Sequence, residues 1–305
     1  WQINAIEASP HNAGTAYVAV TGYKMNNFEP HLYRTDNYGK SWKKIIKGLP
    51  EDTFVRVVRE DPNVQGLLYA GTETGLFISY DNGDNWQEFQ LDLPETPVTD
   101  LRVAHGDLIA ATQGRGFWIL DDIQPIREMA GMATNDDHLF SVRDAYRLLG
   151  GRTLGGGKGK NPPNGAIINY NLAEDIAEDA VVKIEIFDGA GSLVKTYASN
   201  ANKLCKEDPY SAAKPNPPGN QAGFNRFVWN LKSEPLPCNP GLVHPPRSGT
   251  YLVAPGSYKA KLTVGDYNSE SSFNVLASPD LSVADNYDNY KSITSTLHTA
   301  ANEMI

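Results

Sequence analysis

The sequence has little of what builds small secreted scaffolds, membrane proteins or nucleic-acid binders. It holds two cysteines in 305 residues, too few for a fold built on disulfides. No apolar run approaches the ~20 residues of a membrane-spanning helix. No basic run occurs and the formal net charge is −9, which speaks against nucleic acid as a partner. The six histidines are scattered, with no His-x-x-x-His or Glu-x-x-His pairing, so no zinc site is expected. No Gly-x-Ser-x-Gly elbow occurs, so serine-hydrolase chemistry lacks its motif. The Gly/Lys run at 150–160 lacks Gly-Lys-Ser/Thr and a following helix pattern, so it is not a phosphate loop. There is no Asn-x-Ser/Thr sequon and no signal peptide. The chain opens on Trp1, already inside a strand pattern, so a mature or trimmed piece of a longer protein is expected.

What the sequence does have is turn and strand chemistry. Glycine (27), proline (20) and tyrosine (15) are plentiful, which suits short strands joined by tight turns. The chain is organised around Ser79-Tyr80-Asp81-Asn82-Gly83-Asp84-Asn85-Trp86. Its near twin is Thr35-Asp36-Asn37-Tyr38-Gly39-Lys40-Ser41-Trp42. The acid or amide at Asp81 or Asn37 can accept backbone N–H groups inside a tight turn. Gly83 or Gly39 can take a positive φ. Trp86 or Trp42 is expected to bury its ring between neighbouring strands. None of these roles is catalytic.

The twins sit in a degenerate repeat over residues 1–125. Pro10 and Pro62 lie 52 residues apart, as do Tyr17 and Tyr69, whereas Trp42 and Trp86 lie 44 apart. A longer hairpin around Tyr23–Pro30 absorbs the difference. A third unit runs from Val98 to Asp122, where the turn motif has decayed. Each unit predicts four short alternating strands, one blade of a β-propeller. Closed propellers take ~4–8 blades, and an open stack leaves edges unpaired and apolar faces wet. The remaining blades are therefore expected from the same parent chain or from a partner chain.

Residues 126–165 read as a transition and a Gly/Pro linker, with a strand possible within His138–Leu149. Residues 166–276 predict a β-sandwich with strands at Ala166–Leu172, Val181–Asp188, Leu193–Tyr197, Asn225–Leu231, Gly256–Val264 and Ser271–Leu276. An insert at about residues 199–223 interrupts it. Cys205 and Cys238 allow a disulfide that staples a long loop, or two free thiols. Residues 277–305 carry apolar positions at Tyr287, Tyr290, Ile293, Leu297 and Ala300, the spacing of an amphipathic helix. Ile305 still fits that pattern, so the chain is expected to stop inside the helix. The fold class is all-β: terminal propeller blades, an Ig-like β-sandwich, then the start of a C-terminal helix.

The Ser/Thr-x-Asp/Asn-x-Gly-x-x-Trp pattern resembles the Asp-box, or bacterial neuraminidase repeat, of propeller blades. Together with Ile6–His11, Leu67–Glu73 and Gly114–Asp122, it makes the chain similar to large bacterial proteins with sortilin-type, Asp-box propellers. Members are often labelled glycosyl hydrolase-like. The stretch from Asn161 to Val275 resembles their C-terminal Ig-like domain, of the flagellar-hook-capping type. Gln113 departs from the pattern, where His is expected before Gly-Arg-Gly. The resemblance implies a secreted, periplasmic or cell-surface bacterial protein, with this chain as its C-terminal portion. It also implies a structural role on the outer rim for Thr35, Asn37, Gly39, Trp42, Ser79, Asp81, Gly83 and Trp86.

Candidate ligand contacts are few. Arg115, in a Gly-Arg-Gly turn, could face a propeller axis and hold an anion through its fork of donors. Trp118 could stack on a sugar, although its strand alternation also suits a core position. Asp121 and Asp122 offer carboxylates to calcium, but its other oxygen ligands are not identifiable; no cofactor or metal is expected. Two function classes follow. One is a binding or scaffold protein whose propeller presents a surface to a protein or glycan. The other is a glycoside hydrolase of the sialidase or xyloglucanase-like propeller type, its catalytic carboxylates mostly in blades outside this chain.

Overall fold

A computed structural model describes residues 1–131, 136–148, 162–177, 180–201, 216–236, 250–279 and 287–303. Among the described residues the chain is all-β apart from two α-helices and one 3-10 turn at Tyr23–Met25, and it forms two compact units, the first being Trp1–Gly131.

Three antiparallel sheets make up the first unit. In the first, β1 (Gln2–Ala8), β2 (Ala16–Gly22), β3 (Asn27–Thr35) and β4 (Lys43–Lys44) follow one another as a meander. The second repeats the pattern with β5 (Val55–Glu60), β6 (Leu68–Thr72), β7 (Leu76–Ser79) and β8 (Gln87–Glu88). The third has β9 (Val98–Ala104), β10 (Asp107–Thr112) and β11 (Gly116–Leu120). This corrects the expectation of four strands per unit. With no third Gly-x-x-Trp turn to send it back, the chain leaves β11 through Asp122 at φ 61°. It then enters the short helix α1 (Gln124–Met129), with Pro125 in its first turn, where a missing N–H costs nothing.

Apolar faces hold the stack together. Tyr17, Leu32, Ile45, Val55, Leu68, Phe77 and Trp86 form one core between the first and second sheets. Val57, Tyr69, Leu76, Ile78, Leu101, Leu108 and Ile123 form another between the second and third. Gly71 allows the close approach there: a Cβ on it would lie 2.7 Å from side-chain carbons of both Val57 and Val98.

The second unit is a β-sandwich. One sheet has the order β12 (His138–Leu139), β14 (Ala166–Leu172), β17 (Gly223–Trp229). The other has β13 (Ala145–Arg147), β19 (Tyr267–Ala277), β18 (Gly256–Val264), β15 (Val182–Asp188), β16 (Leu193–Ala198). The segment read as a transition thus supplies one strand to each sheet; β13 joins β19 in parallel. Alternation on β18 puts Tyr258, Ala260, Leu262 and Val264 into the core, facing Phe227 and Trp229. Helix α2 (Tyr287–Glu303) follows. Tyr290 donates its hydroxyl to the Leu252 carbonyl at 2.7 Å, and Arg147 lies 5.0 Å from the Tyr290 ring centre. Ile293 and Leu297 are exposed, so the apolar stripe is not a buried face.

Candidate functional site

In each sheet of the first unit the opening strand starts beside the hairpin between the second and third strands, through the pairs Gln2↔Thr21, Val55↔Thr72 and Val98↔Thr112. The turns at 23–26, 73–75 and 113–116 therefore gather at one end. The two Gly-x-x-Trp turns lie at the other, held by Tyr38 N–H to the Gly14 carbonyl and Asn82 N–H to the Gly66 carbonyl.

Those two turns are built alike. The Ser79 hydroxyl donates to Asp81 Oδ1 at 2.8 Å and accepts the Gly83 N–H at 2.9 Å. Asp81 accepts the Asn85 N–H at 2.8 Å. Thr35, Asn37, Gly39 and Ser41 repeat these contacts at 3.0–3.1 Å and 2.9 Å. Gly39 and Gly83 have φ of 78° and 85°. Burial alone would raise the Asp81 carboxyl, but the bonds from Asn85 and Ser79 outweigh it and hold it below the ordinary carboxylate value. The two tryptophans differ. Trp86 is buried and donates its indole N–H to the Ile45 carbonyl of the preceding sheet at 3.0 Å. Trp42 is 45% exposed, contrary to the expectation of a buried ring. It lies on the face of the first sheet that carries Ile3 and Ile6, lining a groove of about 650 Å3, and among the described residues no sheet covers that face.

The hairpin end carries a cluster that needs two sheets. Tyr23, from the long first hairpin, stacks on Phe54 with centroids 5.1 Å apart and planes at 14°. Phe28 approaches Phe54 at 6.3 Å, and the Arg56 guanidinium lies 5.1 Å from the Phe54 ring centre. Phe54 is buried, while Tyr23 and Phe28 are 36% and 47% exposed. Arg56 is held by Glu73 at 2.7 Å, and Lys24 stands 5.9 Å from the Tyr23 ring centre. Open aromatic faces beside cations suit stacking with sugar rings or with apolar and aromatic side chains.

Arg115 sits at the same end, exposed between Gly114 and Gly116, both at positive φ. Its carbonyl accepts the Trp118 indole N–H at 3.2 Å, and among the described residues its guanidinium makes no ion pair. Trp118 is 36% exposed and lines an apolar groove between the second and third sheets. Neither residue touches the Tyr23 cluster.

The opening strands are joined by charge. Arg59 of β5 reaches Glu7 of β1 at 3.3 Å and Asp100 of β9 at 2.7 Å, and donates to the Leu101 carbonyl at 2.9 Å. Glu7 and Arg59 are 52 residues apart, the repeat spacing. Burial pushes the Glu7 carboxyl up, against the pull of Arg59. Behind them, fully buried Asp61 takes both of its oxygens to Arg127 Nε of α1 at 3.0–3.1 Å.

Asp122 is buried and accepts the Gln124 N–H at 3.3 Å, while its own N–H donates to Asp107 at 3.0 Å. Among the described residues no group of three His, Cys, Asp or Glu is placed to hold a metal. Cys205 and Cys238 lie outside the described residues. Sequence reading missed Tyr23, Phe28, Phe54, Arg56 and Arg59. The one available signal was the length of the first hairpin, which carries aromatics off the strand alternation.

No family model matches the chain, and no curated protein matches it. Solved structures similar to it include an ancestral GH74 enzyme at 14% identity, covering 89% of this chain and 35% of that one, with a TM-score of 0.28. Another is the GH74 xyloglucanase from Xanthomonas campestris, at 11% identity, 88% and 38% coverage and a TM-score of 0.30. A third is YCF48 bound to D1 peptide, at 13% identity, 75% and 79% coverage and a TM-score of 0.28. The chain thus spans 35–38% of the length of the two GH74 structures.

Proposed function

We propose that this chain is a binding or scaffold module of a secreted or cell-envelope protein, and that its propeller sheets present a surface to a protein or glycan. One observation supports the reading most: Tyr23 and Phe28 stand open beside Arg56 and Lys24 at the hairpin end. Large rings left half-exposed on a fixed platform lose little conformational freedom when a ligand stacks on them. Arg115 and Trp118 are proposed as further contacts at that end, Arg115 for an anionic group. The open face at Ile3, Ile6 and Trp42 is proposed to take a neighbouring sheet of the same kind, from the parent chain or a partner.

The test is affinity electrophoresis in polysaccharide gels together with a peptide array, using the full chain. The reading expects retardation or capture that Tyr23→Ala/Phe28→Ala abolishes at unchanged unfolding midpoint. Binding that survives the double variant counts against it. A glycoside hydrolase remains the second reading because of Glu7, a carboxyl raised by burial on an opening strand. It needs a second carboxylate ~5–10 Å away across a sugar, supplied by sheets outside this chain. Turnover of a glycan by the parent protein, lost in Glu7→Gln, would establish it in place of the first.

A further inference from the structure

Two Asn-Gly dipeptides occur in the chain, Asn82-Gly83 and Asn164-Gly165, and the fold treats them oppositely. An asparagine before glycine is open to attack by the backbone that follows it. Glycine has no side chain, so its nitrogen reaches the asparagine Cγ unhindered. Asn82 is held away from that geometry. Its N–H donates to the Gly66 carbonyl at 2.9 Å and its carbonyl accepts Arg34 Nη1 at 2.9 Å. The attacking group itself, the Gly83 N–H, donates to Ser79 Oγ at 2.9 Å. The Asn82 side chain packs on Gly66, where a Cβ would lie 2.7 Å from its Nδ2. Asn164 has none of these restraints. It is exposed, its side-chain amide makes no hydrogen bond among the described residues, and no acceptor among them holds the Gly165 N–H. A related dipeptide, Asp188-Gly189, cyclises only as the neutral acid. Burial would raise that carboxyl, but bonds from Ser192, Lys291 and Ala190 outweigh it and hold it below the ordinary carboxylate value.

We propose that Asn164 is a modification site, converted without an enzyme to aspartate and isoaspartate, and that the Ser79 bond spares Asn82. The Gly165 amide gives its proton to solvent base, and its nitrogen attacks Asn164 Cγ. A C–N bond forms, the side-chain nitrogen leaves as ammonia, and a cyclic imide remains. Water then opens the imide at either carbonyl. One opening gives aspartate in a normal backbone. The other routes the backbone through the side chain and leaves a free α-carboxylate, the chemical class of substrate that isoaspartate-methylating repair enzymes accept. Either product adds one negative charge to the surface. Isoaspartate also adds a carbon to the backbone just before β14. Gly165 has φ 139° there, and a Cβ on it would collide with the Trp229 carbonyl oxygen. The added carbon therefore has no room unless the first rung of the β14–β17 ladder, Ala166↔Trp229, shifts. This site does not depend on the hairpin-end surface.

The full chain is incubated at mildly alkaline pH, folded and in urea, and sampled over time by peptide mapping. Isoaspartate is read by its capacity to accept a methyl group. In urea the two Asn-Gly sites should convert at similar rates. In the folded chain Asn164 should keep its urea rate to within a few-fold. Asn82 should fall at least about tenfold below it, the factor for one buried hydrogen bond that must break before attack. Ser79→Ala, which frees the Gly83 N–H, should raise the Asn82 rate several-fold. Asn164→Gln should remove most of the isoaspartate formed by the folded chain. Equal rates at the two sites in the folded chain, or Asn164 slowed about tenfold or more against urea, overturns the proposal. An unchanged Asn82 rate in Ser79→Ala overturns the role given to that bond.

Discussion

At the scale of single residues, the two Gly-x-x-Trp turns separate what a motif dictates from what its surroundings decide. Ser79 is buried and its hydroxyl is the acceptor for the Gly83 N–H. Ser79→Ala leaves that N–H without a partner and should cost about 1–3 kcal/mol, read as a shift in urea midpoint. Ser79→Thr should restore it, since Thr35 plays the same part in the twin. Trp86→Ala should cost ~3–5 kcal/mol through the cavity it leaves. Trp42→Ala in this chain should cost under about 1 kcal/mol because its ring is open. Asp81 gives a pH signature. Its carboxyl is held below the ordinary value, so its stabilisation is complete above the unfolded value of ~3.9 and is lost as pH falls through the folded one. Stability from this group should be flat above about pH 5 and fall below about pH 4. Asp81→Asn should remove that part of the acid slope in urea titrations.

At the scale of elements, the opening strands matter most. Arg59 ties three of them by side-chain and backbone acceptors. Arg59→Ala should cost about 1.5–3 kcal/mol, the range of charge-assisted hydrogen bonds, and should speed amide exchange in β1 and β9 as well as β5. Arg59→Lys, a point charge without the fork, should not restore it. The turns and the strand alternation were legible in the sequence because both depend on neighbours a few residues away. Tyr258, Ala260, Leu262 and Val264 fall on one buried face by period alone. That the third sheet shows three strands among the described residues was not legible. The run Gly116–Leu120 reads as a strand in either case, and what pairs with its far edge is not a local property. The Tyr23 cluster escaped for the same reason, since Phe54 belongs to a different sheet. Helix α2 shows the converse: a correct 3–4 spacing does not say whether a stripe is covered, and Ile293 and Leu297 are open.

At the scale of the whole molecule, the net charge of −9 and the lack of a long basic run in the sequence predict elution from a heparin column at or below about 0.15 M salt, because few clustered cations are available for the counterion release that drives polyanion binding. Retention well above that salt would show a concentrated basic surface. The sequence alone determined the all-β class, the repeated meander, the sandwich strands and the chemistry of the two turns. Each is set by period-two alternation or by bonds within about eight residues. Only the tertiary structure decided which of two equivalent tryptophans is buried, which strands line up through Arg59, and where, among the described residues, an edge and an apolar face stay uncovered. Those outcomes depend on contacts between segments about 40–50 residues apart, and such contacts form only when whole sheets pack.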